Sequence, residues 1–168
     1  MPSTLVSCSL ASPQRQDAVA LVAIHYAAVH KTAAAFYDVD ILDGWSPPLT
    51  PARIERFESM IANTSGVWLM IKQASQIAGF GVVVPSEQTL RGLYVHPTFG
   101  RRGLGTQLLH ALESVALQQG VITLRVHASL NALRFYQQRG YCETAIHQHY
   151  LPSGQWMRCH ELYKRLNC

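Results

Sequence analysis

Two arginines and two glycines between residues 101 and 105 are of the types that bind a phosphate group. Arg101 and Arg102 supply charge and forked donors, while Gly103 and Gly105 let a ligand approach the backbone closely. A helix that begins after such a turn directs unpaired N–H groups and the positive end of its dipole at one point. The stretch therefore predicts a cradle for phosphate or pyrophosphate. An ordinary strand-to-helix turn with solubilising arginines is the alternative.

The neighbouring stretches predict the elements that position this turn. An apolar run over residues 89–95 indicates a strand, and Pro97 ends it because proline lacks the N–H that a sheet requires. Beyond the glycines, leucines at positions 104, 108, 109 and 112 share one face of a helix. The order is therefore strand, glycine turn, helix.

Two other glycine motifs fit this turn poorly. A P-loop requires a lysine directly after its last glycine, and neither Gly103 nor Gly105 is followed by one. The dinucleotide fingerprint has a different order of glycines, and its strand comes early in the chain. Both motifs are therefore set aside.

The motif residues resemble the acetyl-CoA signature of the GNAT superfamily of N-acetyltransferases. Val95-His96-Pro97 followed by Arg102-Gly103-Leu104-Gly105-Thr106 is similar to its first segment, and residues 129–136 with Gly140-Tyr141 are similar to a later one. The resemblance covers roughly residues 76 to 146. One departure is Gly100, where the family usually has Gln or Arg; cradling by main-chain amides does not depend on that side chain.

The resemblance implies an α/β fold: a central, mixed, mostly antiparallel twisted sheet with helices on both faces, forming one N-acetyltransferase domain over residues 1–168. It also implies acetyl-CoA as the acyl donor, although the natural acyl group could be longer than acetyl. The cofactor-binding residues would be Leu93, Tyr94, Val95, Arg101, Arg102, Gly103, Leu104, Gly105, Thr106, Ser129, Asn131, Phe135 and Tyr136. Asn131 has helix capping as an alternative role.

Composition is consistent with one globular domain. Of the 168 residues, 48% are hydrophobic and 14% are charged, enough apolar residues for a sizeable core. We expect no membrane segment or signal peptide and a cytoplasmic protein. The net charge of +4 is scattered, so nucleic-acid binding is not favoured over an anionic cofactor. The four cysteines lack paired spacing, and no metal site is predicted.

Hydrophobic patterning predicts the remaining elements. We expect strands over residues 4–10, 67–72, 77–84 and 121–127, and two more within 141–166; helices are expected from Ser12-Pro13, from Thr50 to Ala62 and over 128–138.

The final strands, with Trp156 and Leu162, would supply the contact of a possible homodimer. In the implied fold the first helices border the acceptor, so His25, His30, Tyr37 and Trp45 are candidate substrate-binding residues, with packing roles as the alternative.

Four residues are candidates for chemistry in the implied reaction, direct attack of an amine on the thioester. Tyr136 matches the family tyrosine that protonates the departing thiolate, and the Val95 amide would polarise the thioester carbonyl. The branch that acetylates histones has a glutamate where this chain has Thr89. Glu87, placed two residues earlier on the same strand face, and His127 are the alternative bases; a water relay or an already neutral amine would need neither.

The sequence thus predicts an N-acetyltransferase that acts on a primary amine of a small molecule or protein in a ternary complex. The alternative hypothesis is a non-catalytic acyl-CoA sensor with the same fold. The sequence alone does not identify the acceptor, the general base or the oligomeric state.

Overall fold

The computed structural model describes residues 7–166, which build one seven-stranded sheet. The strands are β1 Cys8–Ala11, β2 Val67–Gln73, β3 Gln76–Val84, β4 Thr89–Val95, β5 Thr123–Ser129, β6 Cys142–Tyr150 and β7 Trp156–Arg165. The helices are α1 Ala18–Thr32, α2 Val39–Trp45, α3 Pro51–Ala62, α4 Leu104–Gln118 and α5 Leu133–Gln137. Short 3-10 turns span Arg15–Asp17, Pro85–Glu87, Pro97–Phe99 and Leu130–Ala132.

The sheet has the order β1-β2-β3-β4-β5-β7-β6. All described neighbours are antiparallel except β4 and β5, which are parallel. The expected mixed, mostly antiparallel sheet is therefore confirmed. None of the helices within residues 7–166 combines the length and the apolar character needed to cross a bilayer.

Helices cover both faces of the sheet, as expected. On one face the α4 leucines at 104, 108, 109 and 112 are at most 2% exposed and pack with α5 against the strands. On the other face α1 and α3 pack on Trp68, Met70 and Phe80. A Cβ on Gly81 would lie 2.5 Å from Leu112 Cδ1, so this glycine lets α4 approach β3.

Several predicted boundaries match the structure closely. Strands β2, β3 and β4 and helix α3 lie where the patterns place them, and the Thr50 hydroxyl caps α3 by accepting from Arg53 N at 3.3 Å. The helix expected from Ser12-Pro13 begins later, at Ala18, because Asp17 accepts a hydrogen bond from Gln14 N and holds a 3-10 turn first. Residues 4–6 of the expected first strand lie outside the described residues.

Two predictions around β5 and β7 are wrong. Ala128 and Ser129 belong to β5, where Ser129 pairs with Cys159, so the expected helix over 128–138 is a turn followed by the short α5. Leu162 is completely buried in the core and offers no dimer contact. Trp156, 61% exposed and packed on Tyr150, lies on the surface.

Candidate active site

Strands β4 and β5 diverge and open a cleft between them. Within the described residues they pair only at Thr89 with Arg125 and Leu90 with Val126. His96 N donates to Ala78 O on β3 at 2.8 Å, and because successive N–H groups alternate along a strand, Val95 N–H points away from β3 into the cleft. The edge of β4 from Leu93 to Val95 thus presents backbone groups that an extended amide-containing ligand can pair with.

The cleft holds a cavity of about 120 Å³, called the cleft cavity here. Its walls include eight residues that were predicted as site residues: Trp45, Leu93, Tyr94, Val95, His127, Ser129, Asn131 and Tyr136. Asn131 Oδ1 is buried and has no hydrogen-bond partner within residues 7–166. A buried acceptor without a donor is costly, so this atom suits a ligand N–H.

The helix α4 begins beside the cleft, as predicted. Its first backbone bond runs from Gln107 N to Gly103 O, so the amides of Leu104, Gly105 and Thr106 have no partner within the helix. Gly103 has a φ of 77° and open space where a Cβ would be, and a Cβ on Gly105 would lie 3.6 Å from Val95 Cγ2. The turn therefore presents backbone donors of the kind that bind an anion, near the end of β4.

Arg139 links this turn to α5, a contact that the sequence did not reveal. Its Nε donates to Thr106 Oγ1 at 2.8 Å and its Nη1 to Phe135 O at 2.7 Å, while the guanidinium stacks on the Phe135 ring at 3.8 Å. The Thr106 hydroxyl therefore already accepts bonds from the protein. The clamp holds the start of α4 against the helix that carries Tyr136.

The two predicted phosphate-binding arginines are exposed and line none of the three described cavities. Arg101 adopts a φ of 59°, and Arg102 Nη1 donates to Gln73 Oε1 at 2.7 Å with its guanidinium over Phe99. Arg102 is thus held against the end of β2. Their phosphate role stays a prediction.

Tyr136 lines the cleft cavity. Its side chain is 4% exposed and packs edge-on against Phe135 and Tyr141. Burial raises its pKa, so the hydroxyl stays protonated at neutral pH. A general acid starts from this protonated form.

A second cavity of about 420 Å³, the polar cavity, adjoins the cleft cavity. The two share Trp45, Arg91, Tyr94, His127 and Ser129 as walls. Arg91 reaches it because the pairs Val82 with Gly92 and Val83 with Leu90 leave Arg91 as the extra residue of a β-bulge.

His127 occupies the junction of these two cavities. Its Nε2 lies 3.1 Å from Glu161 Oε2 on β7, and its ring stacks on His147 at a centroid distance of 3.9 Å. The hydrogen bond from His127 lowers the pKa of Glu161, which therefore stays ionised. An imidazole oriented by a carboxylate is a suitable general base.

The prediction that Glu87 lies on the β4 face is wrong. Pro85 starts a 3-10 turn that ends at Glu87, so this residue precedes the strand. Its carboxylate pairs with Arg91 at 2.6 Å on the rim of the polar cavity, and the hydrogen bond from Arg91 lowers its pKa. The ion pair occupies the carboxylate that a base would need free.

A third cavity of about 420 Å³, the aromatic cavity, lies between α3 and the sheet. Its walls include Phe57, Trp68, Phe80 and Tyr94, and it meets the polar cavity at Trp45, Arg91, Tyr94 and His149. Strand β6 carries two histidines in this region. His147 is half-buried against His127, and His149 borders both larger cavities.

The four predicted substrate residues have different surroundings. Trp45 borders all three cavities, and His25 borders the aromatic one. His30 does not line them; its Nε2 contacts Ser46 O at 2.8 Å. Tyr37 accepts from Leu130 N and donates to Arg158 O, which ties the segment between α1 and α2 to the turn after β5 and to β7. Burial raises the pKa of Tyr37 to about 12.

His25 is part of a partly buried polar network. Arg53 Nη2 donates to Ser46 Oγ at 2.9 Å, and Ser46 Oγ lies 2.7 Å from His25 Nδ1. Burial, followed by the charge of Arg53, lowers the pKa of His25 to about 3, so the ring is neutral. The network connects α1 to the segment between α2 and α3.

Comparison with known proteins agrees with this geometry. The sequence profile of the acetyltransferase (GNAT) domain matches residues 44–150, which include β4, the turn and α5. The chain belongs to the GNAT acetyltransferase family. The predicted family resemblance is thereby confirmed.

Two curated relatives of this GNAT chain are [ribosomal protein bS18]-alanine N-acetyltransferases. The Salmonella typhimurium protein is 37% identical over 92 residues, which cover 52% of this chain and 62% of the relative. The Escherichia coli protein is 35% identical over 88 residues, 49% of this chain and 60% of the relative. The match thus spans about 60% of the length of these relatives.

Solved structures resemble this GNAT chain over nearly its whole length. A GCN5-related N-acetyltransferase from Rhodopseudomonas palustris superimposes with a TM-score of 0.84, 25% identity and 98% coverage of both chains. The PaiA N-acetyltransferase of Thermoplasma acidophilum, solved with coenzyme A, gives a TM-score of 0.74 at 17% identity, covering 95% of this chain and 99% of its own. At this level of identity, the similarity to PaiA shows that the two chains share a fold.

Proposed function

We propose that this protein is an N-acetyltransferase that moves an acetyl group from acetyl-CoA to a primary amine of a small molecule or protein by direct attack. The observation that carries the proposal is the junction at His127. There the cleft cavity meets the polar cavity, so that an acyl donor in one and an amine in the other would meet beside an imidazole.

The residues that line the cleft fit acetyl-CoA. The open edge of β4 suits the amide-rich pantetheine arm, the unpaired Asn131 Oδ1 suits one of its N–H groups, and the α4 amides suit its pyrophosphate. When bound, the cosubstrate supplies an activated acyl thioester. A relative with the same fold was solved with coenzyme A, which supports this assignment.

Each of three groups of the chain has a separate task in this proposal. The Val95 N–H, which points into the cleft, would stabilise charge on the thioester oxygen. His127, oriented by Glu161, would accept a proton from the amine. Tyr136 would donate a proton to the departing sulfur. The paired His127 and Glu161 favour an enzyme over the sensor alternative, because simple binding requires no oriented base.

The relatives' names state that they acetylate an alanine of a ribosomal protein. They support an amine acceptor here, and a ribosomal substrate is consistent with the expected cytoplasmic location. A dimer contact, if formed through the final strands, would use Trp156 rather than Leu162.

Isothermal titration with acetyl-CoA, and with NAD as a control, tests the donor assignment first. We expect micromolar binding of acetyl-CoA and none of NAD. Release of free CoA that requires an added amine, with the N-acetyl product identified by mass, then tests the reaction. Binding without turnover on a broad amine panel would contradict the enzyme and favour the sensor.

A further inference from the structure

The aromatic cavity has the character of a binding site for an uncharged apolar group. Phe57, Trp68 and Phe80 form its walls, yet it is open and adjoins the polar cavity where the amine is expected. Arg53, Arg56 and Arg91 border it, and none of the described lining residues is Asp or Glu. A cationic side group would therefore meet like charge there, whereas an apolar one would be removed from water.

Arg125 on β5 is a cation without an ion-pair partner within residues 7–166. Its Nη2 donates to Thr89 Oγ1 at 3.1 Å, and its buried Nε has no hydrogen-bond partner among the described residues. Glu161 is close enough for the charge of Arg125 to lower its pKa, but it forms no ion pair with it. Arg91, by contrast, is paired with Glu87. Arg125 thus retains the capacity to bind an added carboxylate.

Arg125 and His127 project from the same face of β5, two residues apart. Side chains at this spacing are separated by about 6.6 Å along a strand, which one small molecule can span. Both line the polar cavity, whose shared wall of Trp45, Arg91 and Tyr94 leads into the aromatic cavity. Three different subsites therefore surround one point: a base, a cation and an apolar cavity.

We propose that the acceptor is a small amine that also carries a carboxylate and an uncharged apolar group, as an α-amino acid with an aromatic side chain does. Its amine would face His127, its carboxylate would bind Arg125, and its apolar group would enter the aromatic cavity. This inference rests on the proposed N-acetyltransferase function and specifies the acceptor for the same site.

Matched acceptors test the inference. L-Phenylalanine has all three groups, L-phenylalaninamide lacks the carboxylate charge, glycine lacks the apolar group, and a short peptide amide with N-terminal alanine represents the relatives' substrate. We expect kcat/KM for phenylalanine to exceed that of each other acceptor by about tenfold or more, the usual effect of one charged hydrogen-bonding group or one buried side chain.

Variants assign these preferences to residues. Arg125→Gln should lower the ratio of kcat/KM for phenylalanine to that for phenylalaninamide by about 10- to 100-fold, and Arg125→Lys should lower it less. Arg165→Gln, an exposed arginine on β7, is the matched control and should keep the ratio. Val82→Phe, which narrows the aromatic cavity, should lower the ratio of phenylalanine to glycine. Circular dichroism checks that each variant is folded.

Equal or better turnover of phenylalaninamide or of the peptide would overturn the inference while the transferase function stands. An unchanged ratio in both Arg125 variants would also overturn it. If no amine is acetylated although acetyl-CoA binds, the proposed function fails as well, and the two failures are therefore distinguishable.

Discussion

His127 on β5 and Glu161 on β7 are directly paired across two antiparallel strands, and their side chains meet at 3.1 Å. Both are partly shielded, with 28% and 22% of their side chains exposed. The hydrogen bond to the carboxylate fixes the orientation of the ring, as a general base requires in a proton transfer. His127 lies where the cleft cavity and the polar cavity meet.

Replacing His127 with Asn should lower kcat/KM for amine acetylation by about 100-fold, because the variant lacks the proposed general base. Glu161→Gln should cause a smaller loss, since the ring can still be oriented by a hydrogen bond. Glu87→Gln removes an exposed ion pair and should change kcat/KM by less than about fivefold. Steady-state kinetics over the neutral pH range measure this, and a larger effect at Glu87 than at His127 would assign the base to Glu87.

Tyr136→Phe should reduce kcat by about 100-fold and leave the acetyl-CoA affinity nearly unchanged, because in the proposed mechanism the lost hydroxyl acts on the leaving thiolate and not in binding. Tyr141→Phe is the matched control. Its hydroxyl donates to Glu113 at 3.0 Å inside the core, so the loss should affect stability more than turnover. Calorimetric titration and kinetics on both variants separate the roles; equal kcat in wild type and Tyr136→Phe would remove Tyr136 from the mechanism.

Gly103→Ala should weaken acetyl-CoA binding several-fold, because a side chain would alter the turn that presents the α4 amides. Gly120→Ala, at the other end of α4, has a similar φ of 84° and equally open surroundings. Both variants should lose about 1 kcal/mol of unfolding free energy through left-handed strain. Titration with acetyl-CoA should distinguish them, and equal affinities would show that the turn does not bind the cofactor.

His25, whose pKa is lowered by desolvation, should make the protein less stable at acidic pH. Its native pKa of about 3 lies below the ordinary value of 6.5, so the unfolded chain binds this proton first as the pH falls. The free energy of unfolding should therefore decrease between pH 6.5 and about 3, by up to about 1.4 kcal/mol per pH unit from this residue.

The variant His25→Asn isolates that contribution, since the amide oxygen can still accept from Ser46 but does not titrate. Urea unfolding at several pH values should give a shallower slope for the variant than for the wild type. Identical slopes would show that His25 does not carry the acid sensitivity.

Much of the fold follows from local pattern. The α4 leucines at 104, 108, 109 and 112 recur at helical spacing and are buried, and β2, β3 and β4 end where proline or polar turns interrupt their apolar runs. Local pattern predicts the wrong element where a segment is compatible with two conformations. Ser129 has the residue type of a helix cap, but pairing with Cys159 keeps it in β5, and Pro85 draws Glu87 into a turn before β4.

The sequence by itself determined the turn, the helix behind it and the family signature, because these depend on residues close together in the chain. Only the tertiary structure decided that His127 meets Glu161, 34 residues away, that Arg139 clamps Thr106, and that Arg125 has no ion-pair partner in the described chain. Such contacts depend on strand order and register, and many pairings of the strands are compatible with the same local pattern. The junction of the cavities arises from the divergence of β4 and β5, which no single segment encodes.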